Sequence, residues 1–295
     1  MDIEVLRNFL RLADTLHFTR ASGKAFIAQS ALSRQIKQLE SEVQASLFKR
    51  DRRNVELTPA GEYFKTEVQR VLNQLDYAIT RAQQMDKGEA GEIRIGYTHS
   101  AMQSFLPVLI KSLNQHFPAI RTVLIEMANV HQALALRDRK IDISISPNPV
   151  IEGDVRSKVL VQDHFAIVLP TNHPIDQSNF ESLSQFANES FILPPRTEGT
   201  LYVGTIESMC IDAGFVPHII HETSYANTGI RLVEAGIGIT IEPVSGLAGY
   251  SGIKFIELKN VIQKAELTML WLPDLEDEFP KVFTLLNQFK YREEL

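Results

Sequence analysis

The feature that constrains this chain most is a long helical segment with a single apolar seam. Thr58 followed by Pro59 predicts the start of a helix, because Thr is a favoured N-cap and Pro is tolerated at the first helical position. Beyond that start, apolar side chains recur at alternating intervals of four and three residues: Phe64, Val68, Val71, Leu75, Ala78, Ala82 and Met85. Such a seam is typical of a helix that pairs with another helix. The sequence therefore predicts a linker helix over 59–87 that joins two chains into a homodimer. The alternative is that the seam packs against the body of its own chain.

Residues 1–58 carry the periodicity of short helices followed by a two-stranded wing. We expect a first helix around Phe9, a second capped by Thr19, and a third that opens at Gln29 or Ser30. The third helix turns four apolar residues inward at helical spacing: Leu32, Ile36, Leu39 and Val43. Apolar residues then flank the basic turn 49–54, which indicates a β-hairpin. The first domain is therefore predicted to be all-helical except for this wing.

Residues 18–42 have the layout of a helix-turn-helix, whose second helix enters the DNA major groove with its first residues at the base edges. Short polar side chains are needed there, and Gln29, Ser30 and Ser33 meet that need. Gln can make a bidentate bond to adenine, and Arg34 can reach guanine or phosphate. The wing adds three candidate contacts to phosphate or the minor groove: Arg50, Arg52 and Arg53. The alternative is that these arginines form an ordinary solvated turn.

Charge is distributed unevenly along the chain. The whole chain has a formal net charge of −6, which taken alone argues against a nucleic-acid binder. Between positions 17 and 53, however, eight Lys or Arg stand against three acids, so this segment carries +5 and the remainder −11. A basic segment on an acidic body is consistent with local contact to double-stranded DNA.

After a hinge at 88–91, which contains two glycines, the pattern changes to alternating strands and helices. The order strand, helix, strand, helix, strand over 92–146 predicts a parallel sheet with helices on its faces. A second run of the same kind follows, and a last strand and helix return at the end. We interpret 92–295 as two similar α/β lobes joined by crossing strands. Lobe 1 is expected to comprise 92–161 and 267–295, and lobe 2 to comprise 162–266.

The first 60 residues resemble the LysR-type transcriptional regulators. The resemblance rests on dense matching of these residues: Phe18-Thr19-Arg20-Ala21, Ala28-Gln29-Ser30-Ala31-Leu32-Ser33-Arg34-Gln35-Ile36, Leu39-Glu40, Leu47-Phe48, Arg53 and Leu57-Thr58-Pro59-Ala60-Gly61. It implies an N-terminal winged helix-turn-helix (1–58), a long dimerising helix, and a C-terminal effector domain of the two-lobed, type II periplasmic-binding-protein fold. It also implies a homotetramer, a small-molecule effector and contact with RNA polymerase, and it adds Thr19, Arg20 and Lys37 to the DNA-binding set. Gly23-Lys24 departs from the family, which more often has a helix-forming pair there.

The sensor site is expected outside the carboxyl ends of the strands, where open α/β sheets bind ligands. The candidate effector-binding residues are Thr98, His99, Ser100, Asn129, Pro147, Pro195, Arg196, Thr200, Tyr202 and Asn227. Hydroxyls and backbone amides at helix starts favour a small anionic effector, which Arg196 would neutralise. Three alternatives stay open: the polar residues are helix caps, Arg196 forms a surface ion pair, and His99 has a structural role.

Rival functions find less support in the sequence. A Gly-rich phosphate loop, a metal-ligand cluster and a Gly-x-Ser-x-Gly elbow are all missing, so neither an enzyme nor a cofactor is expected. A solute-binding protein for transport would share the α/β body, but the N-terminus has no signal peptide and no apolar run could span a membrane. We therefore expect a cytoplasmic protein. The single cysteine, Cys210, is expected in the core, and an oxidant-responsive regulator of the same fold is the remaining alternative.

Overall fold

The structure is a computed structural model that describes residues 2–50, 55–86, 91–198 and 200–288. The chain divides into two compact units, one ending at Asp86 and the other beginning at Lys87. The predicted hinge at 88–91 lies outside the described residues except for Gly91, which has a positive φ of 111°. None of the described helices is long and apolar enough to cross a bilayer.

The first unit contains four helices and a small hairpin. Their bounds are α1 Ile3–Thr15, α2 Phe18–Ala25, α3 Gln29–Val43, β1 Phe48–Arg50, β2 Val55–Leu57 and α4 Pro59–Asp86. We call residues 2–57, from α1 to β2, the head. One core joins the inward faces of α1 and α3 to the hairpin, with Phe9, Leu32, Ile36 and Leu47 fully buried. Burial of this apolar stripe fixes the orientation of α3 and leaves its opposite face in water.

The N-cap predicted from the sequence is correct for α4 and wrong for α2. Thr58 caps α4 as predicted, since its Oγ1 accepts a hydrogen bond of 2.9 Å from the amide of Gly61. The predicted cap at Thr19 is wrong: the cap is His17, two residues earlier, and its ring accepts from the amide of Arg20. The wing pairs Phe48 with Leu57 in an antiparallel register. Its tip, with Arg52 and Arg53, lies outside the described residues, as does the side chain of Arg50.

The apolar seam of α4 divides between two environments. Val68 and the neighbouring Leu72 are buried against the core of the head, so the prediction that the whole seam faces a second chain is wrong at this end. Further along, Val71 is 60% exposed, and Ala78, Ile79 and Ala82 are also exposed. The side chain of Met85 lies outside the described residues. One end of α4 therefore packs against the head, whereas an outward apolar stripe remains exposed.

The second unit begins with lobe 1. Its elements are β3 Glu92–Tyr97, α5 His99–Gln103, α6 Phe105–His116, β4 Arg121–Glu126, α7 Asn129–Arg137, β5 Ile143–Pro147 and β6 Arg156–Asp163, joined later by β12 Ala265–Trp271, α10 Asp274–Glu278 and α11 Pro280–Gln288. The five strands form one sheet in the order β4-β3-β5-β12-β6. The first three are parallel, and β12 is antiparallel to both of its neighbours. The last strand and helix thus complete lobe 1, as the sequence predicts.

Lobe 2 is built on a smaller sheet. Its elements are β7 Phe165–Pro170, β8 Ser190–Leu193, α8 Thr200–Asp212, β9 His218–Glu222, α9 Ala226–Glu234, β10 Thr240–Pro243 and β11 Ile253–Glu257. Strands β10 and β11 flank β7 in antiparallel fashion, and β8 pairs with β9 in parallel. Strand β11 is not among the predicted elements. The carboxyl ends of β3, β4 and β5 place the starts of α5 and α7 at one edge of lobe 1, where lobe 2 approaches.

Candidate functional sites

The exposed surface of the head gathers most of the predicted DNA-binding residues. Six of them expose or half-expose their side chains on α2 and α3: Arg20, Gln29, Ser30, Ser33, Arg34 and Lys37. Thr19 is exposed as well, and its Oγ1 lies 3.3 Å from Oε1 of Gln29, so the hydroxyl ties the two helices together at the turn. From position 17 to 39 the sequence contains no acidic residue. The start of α3 is therefore a positively charged, sterically open surface.

Phe26 is a feature of this surface that sequence reasoning missed. It ends α2 in the left-handed conformation, with φ at 55°, and its side chain is 95% exposed. Non-glycine residues with positive φ are uncommon, and a bulky one is an outlier. A large apolar side chain thus stands at the edge of the surface formed by the start of α3. The sequence signal that could have identified this feature is an aromatic residue at the turn between two helices.

The second site is a cleft between the two lobes, with a cavity volume of about 60 Å³. Its lining consists of Thr98, His99, Ser100, Glu126, Met127, Ala128, Asn129, Pro147, Pro194, Tyr202, Ser224, Tyr225, Ala226 and Glu242. We call it the interlobe cleft. Six of the ten predicted effector-binding residues are among these. Oγ of Ser100 lies 3.2 Å from Oγ1 of Thr98, and the Asn129 amide donates to the carbonyl oxygen of Pro147 at 2.7 Å.

His99 links the lobes across one side of the cleft. It belongs to α5 of lobe 1, whereas its two partners, Gly246 and Tyr250, belong to lobe 2. Burial lowers the pKa of His99, while Glu126 and the bond to the Gly246 carbonyl oppose that shift. Nε2 of His99 and the Tyr250 hydroxyl lie 3.1 Å apart, within hydrogen-bond distance. The structural role left open in the sequence is therefore present: His99 holds the lobes together.

A buried carboxyl group lines the cleft from the side of lobe 2. Glu242 on β10 is 5% exposed, and its Oε2 accepts a hydrogen bond of 3.2 Å from the Tyr202 hydroxyl. Burial raises the pKa of Glu242 to about 7, although hydrogen bonds from Tyr202 and Thr240 oppose the shift. Burial and the nearby carboxyl groups raise the pKa of Tyr202 well above its ordinary value. The cleft thus contains a carboxyl group that changes protonation near neutral pH.

Three of the four remaining predicted effector contacts do not line the cleft. Arg196 is exposed and its guanidinium forms a bidentate pair with Glu207, at 2.7 and 2.8 Å, so the surface ion pair is the correct alternative. Pro195 and Asn227 are not among the lining residues, and the side chain of Thr200 lies outside the described residues. The lining contains two carboxyl groups and, among the described residues, neither Lys nor Arg. The cation expected to neutralise an anionic effector is therefore absent from this lining.

The single cysteine is a core residue, as predicted. Cys210 is fully buried in the core of lobe 2, and burial raises its pKa to about 12. A thiol reacts with oxidants mainly as the thiolate. The environment of Cys210 therefore disfavours the alternative of an oxidant sensor at this position. Among the described residues, no group of three or more His, Cys, Asp or Glu side chains is arranged to hold a metal ion.

Two family profiles match the chain, one for each unit. The profile described as "Bacterial regulatory helix-turn-helix protein, lysR family" matches residues 3–62, and the profile described as "LysR substrate binding domain" matches residues 86–288. Among similar proteins, the HTH-type transcriptional regulator AlsR of Bacillus subtilis is 34% identical, over 83% of this chain and 81% of its own length. The transcriptional dual regulator GltC of the same organism is 31% identical, over 84% and 82%.

A solved structure reproduces the order and packing of the elements. Full-length CbnR, crystallised with its target DNA, matches with a TM-score of 0.73 at 20% identity, over 97% of this chain and 99% of CbnR. At that identity the match supports the fold: a winged helix-turn-helix, a long helix and a two-lobed α/β body.

Proposed function

The chain belongs to the LysR family of DNA-binding transcription regulators, and on that premise we propose which of its surfaces bind DNA, a second chain and an effector. The head binds a specific duplex through the start of α3. The observation that carries this proposal is the coincidence of exposed groups that can bond base edges, such as Gln29 and Arg34, with a segment of net charge +5. Ligand binding, not catalysis, is the proposed activity of the second unit.

Arg34→Ala tests the role of α3. Arg34 is exposed at the start of the helix, where a side chain reads bases. We expect the variant to lose about 1–3 kcal/mol of specific binding, roughly 5- to 150-fold in Kd. Fluorescence anisotropy at fixed salt on operator and random duplexes measures the loss. Equal weakening on both duplexes would make Arg34 a phosphate contact, and an unchanged Kd would remove it from the interface. Arg121→Ala, which removes an exposed arginine from the second unit, is the matched control.

The outward stripe of α4 is the proposed dimer interface. Val71, Ala78, Ile79 and Ala82 expose apolar surface along one helix, and pairing two such helices would bury it. A two-fold dimer then presents two heads to two half-sites, and pairs of dimers form the proposed homotetramer. Sedimentation at micromolar concentration should find no monomer in the intact chain. A chain that sediments as a monomer contradicts the proposal.

The interlobe cleft is the proposed effector site. A molecule bound there contacts both lobes, so it can favour one lobe arrangement over another and bias the regulator. Because the lining carries Glu126 and Glu242 and, in the part of the chain that the structure describes, neither Lys nor Arg, the effector is proposed to be a small polar molecule that presents hydrogen-bond donors to these carboxyl groups. The two carboxyl groups, which are negatively charged when ionised, disfavour a purely anionic effector in this arrangement.

Ser100→Ala tests the cleft. Ser100 is buried in the lining, and among the described residues its hydroxyl forms a hydrogen bond only with Thr98, which leaves bonding capacity for a ligand. We expect the variant to lose effector binding at least tenfold while it keeps its affinity for operator DNA. Isothermal titration with candidate metabolites, together with operator footprints, measures both. Ser112→Ala, which removes a hydroxyl of lobe 1 outside the cleft, should titrate like the wild type. Unchanged effector affinity in Ser100→Ala would remove this residue from the site.

A further inference from the structure

A second cavity lies beside the interlobe cleft and is not used by the proposed function. Its volume is about 250 Å³, larger than that of the cleft. Its apolar walls come from α7, from the segment after β5, from β12 and, across the lobe boundary, from Leu201 at the start of α8. Asn129 lines both the cavity and the cleft. We call this space the α7 cavity.

The polar groups in the walls of the α7 cavity already have partners within the protein. The Asn129 amide donates to the Pro147 carbonyl at 2.7 Å. The Ser144 hydroxyl donates to Oε1 of Gln132 at 2.7 Å. Asn148 donates to the Lys264 carbonyl at 3.0 Å and accepts from the amide of Glu266 at 2.7 Å. A ligand that enters this cavity therefore meets few polar atoms that still require a hydrogen bond.

Charge in the α7 cavity is balanced. Among the residues that the structure describes, its lining contains one cation and one anion, Arg137 and Glu152, whose atoms Nη2 and Oε2 are 2.6 Å apart. An ionic ligand would have to give up its hydration and compete with that pair. A neutral ligand has no such cost, so the lining favours an uncharged occupant.

Apolar surface is left open to water around the α7 cavity. Leu134 is 54% exposed and Leu201 is 51% exposed, and both line it. Covering such side chains is favourable in proportion to the apolar area removed from water. An apolar cavity of about 150 Å³ can hold benzene, so by the same ratio about 250 Å³ holds roughly ten non-hydrogen atoms. The cavity volume, the hydrogen-bonded polar groups and the balanced charge all favour a small, neutral and mainly apolar ligand.

We propose that the α7 cavity is a second small-molecule site, which takes a neutral, predominantly apolar molecule of one substituted ring. Such a ligand would contact α7 of lobe 1 and Leu201 of lobe 2 together, and it would lie against Asn129, whose other side faces the cleft. Binding of this ligand does not depend on the proposed function. Only an effect of that binding on the effector response rests on the proposed function.

The test is fluorine NMR of 4-fluorotoluene, a neutral probe, with the intact chain. We expect saturable broadening of its resonance, displacement by toluene, and at least tenfold weaker binding of the charged analogues 4-fluorobenzoate and 4-fluorobenzylamine. Ala133→Phe places a ring inside the cavity and should weaken probe binding at least tenfold. Ala248→Phe adds the same ring at an exposed position away from the lining and should leave binding unchanged.

A second variant keeps the test decisive if Ala133→Phe does not fold. Leu134→Asn places a polar group on the exposed wall of the cavity and should also weaken binding of 4-fluorotoluene. The proposal is overturned if the wild type fails to bind the probe, if a cavity variant that folds binds it as the wild type does, or if 4-fluorobenzoate binds equally well. Loss of probe binding in Ser100→Ala but not in the cavity variants would place the probe in the interlobe cleft and would also overturn the proposal.

Discussion

Gly61→Ala should destabilise the head by about 3 kcal/mol, at the upper end of the cost of overpacking. Gly61 lies in the first turn of α4, where the helix approaches the segment before the wing. A Cβ atom there would overlap the carbonyl oxygen of Leu47 and lie 2.9 Å from Cδ2 of Leu57. The carbonyl is backbone and cannot swing aside as a side chain can. The substitution must therefore displace either α4 or the wing.

Gly23→Ala is a matched control for which we expect a change in the stability of the head of opposite sign. Gly23 lies inside α2, and a Cβ built on it meets no atom within 4 Å. Since Ala is favoured over Gly in a helix interior by about 1 kcal/mol, Gly23→Ala should stabilise the head. Hydrogen exchange of peptides from 2–50, read by mass spectrometry, reports the opening free energy of the head in both variants. Equal protection in the two variants would contradict the prediction.

Glu242→Gln should stabilise the second unit at pH 8 by about 3 kcal/mol and change little at pH 4. Burial raises the pKa of Glu242 to about 7, against an ordinary value of 4.5. Between these values the folded chain holds a proton that the unfolded chain has released, so stability falls as the pH rises through this range and the loss is complete above pH 7. The figure follows from the separation of the two pKa values. Glutamine mimics the neutral carboxyl and removes the loss.

Urea unfolding at several pH values, followed by the fluorescence of the only tryptophan, Trp271, measures this effect. The difference in unfolding free energy between variant and wild type should grow from pH 5 to pH 7 and then level off. A constant difference over that range would show that Glu242 does not change its protonation there. A decrease in the difference with rising pH would reverse the sign and contradict the argument.

The sequence predicts the fold better than it predicts the cleft. Strong local signals, such as Thr58-Pro59 and the alternation of strands with helices, determine most elements within a few residues. The two carboxyl groups of the cleft are not among the predicted site residues. Glu126 is the last residue of β4 and Glu242 lies within β10, and the strand pattern alone does not indicate that either side chain lines the cleft.

The features that the sequence does not predict depend on contacts between residues that are far apart in the chain. His99 bonds to Tyr250, 151 positions away, and no local pattern announces that pair. Arg196 has a long side chain that can reach either a ligand or a neighbouring carboxylate, and Glu207 on the next helix provides the carboxylate. Val68 is buried because the first part of α4 packs against the head. The apolar seam has the same spacing along the whole helix, so its pattern cannot show where that packing ends.

The position of β12 has a consequence for how the chain is synthesised. This strand is inserted between β5 and β6, yet it follows the whole of lobe 2 in the chain. While a ribosome is still making lobe 2, lobe 1 therefore presents β5 and β6 as open strand edges, and such edges are templates for aggregation. The head, whose contacts are local, can fold at the start of translation. Lobe 1, although its first strand is made before lobe 2, is completed only after residue 271 has emerged.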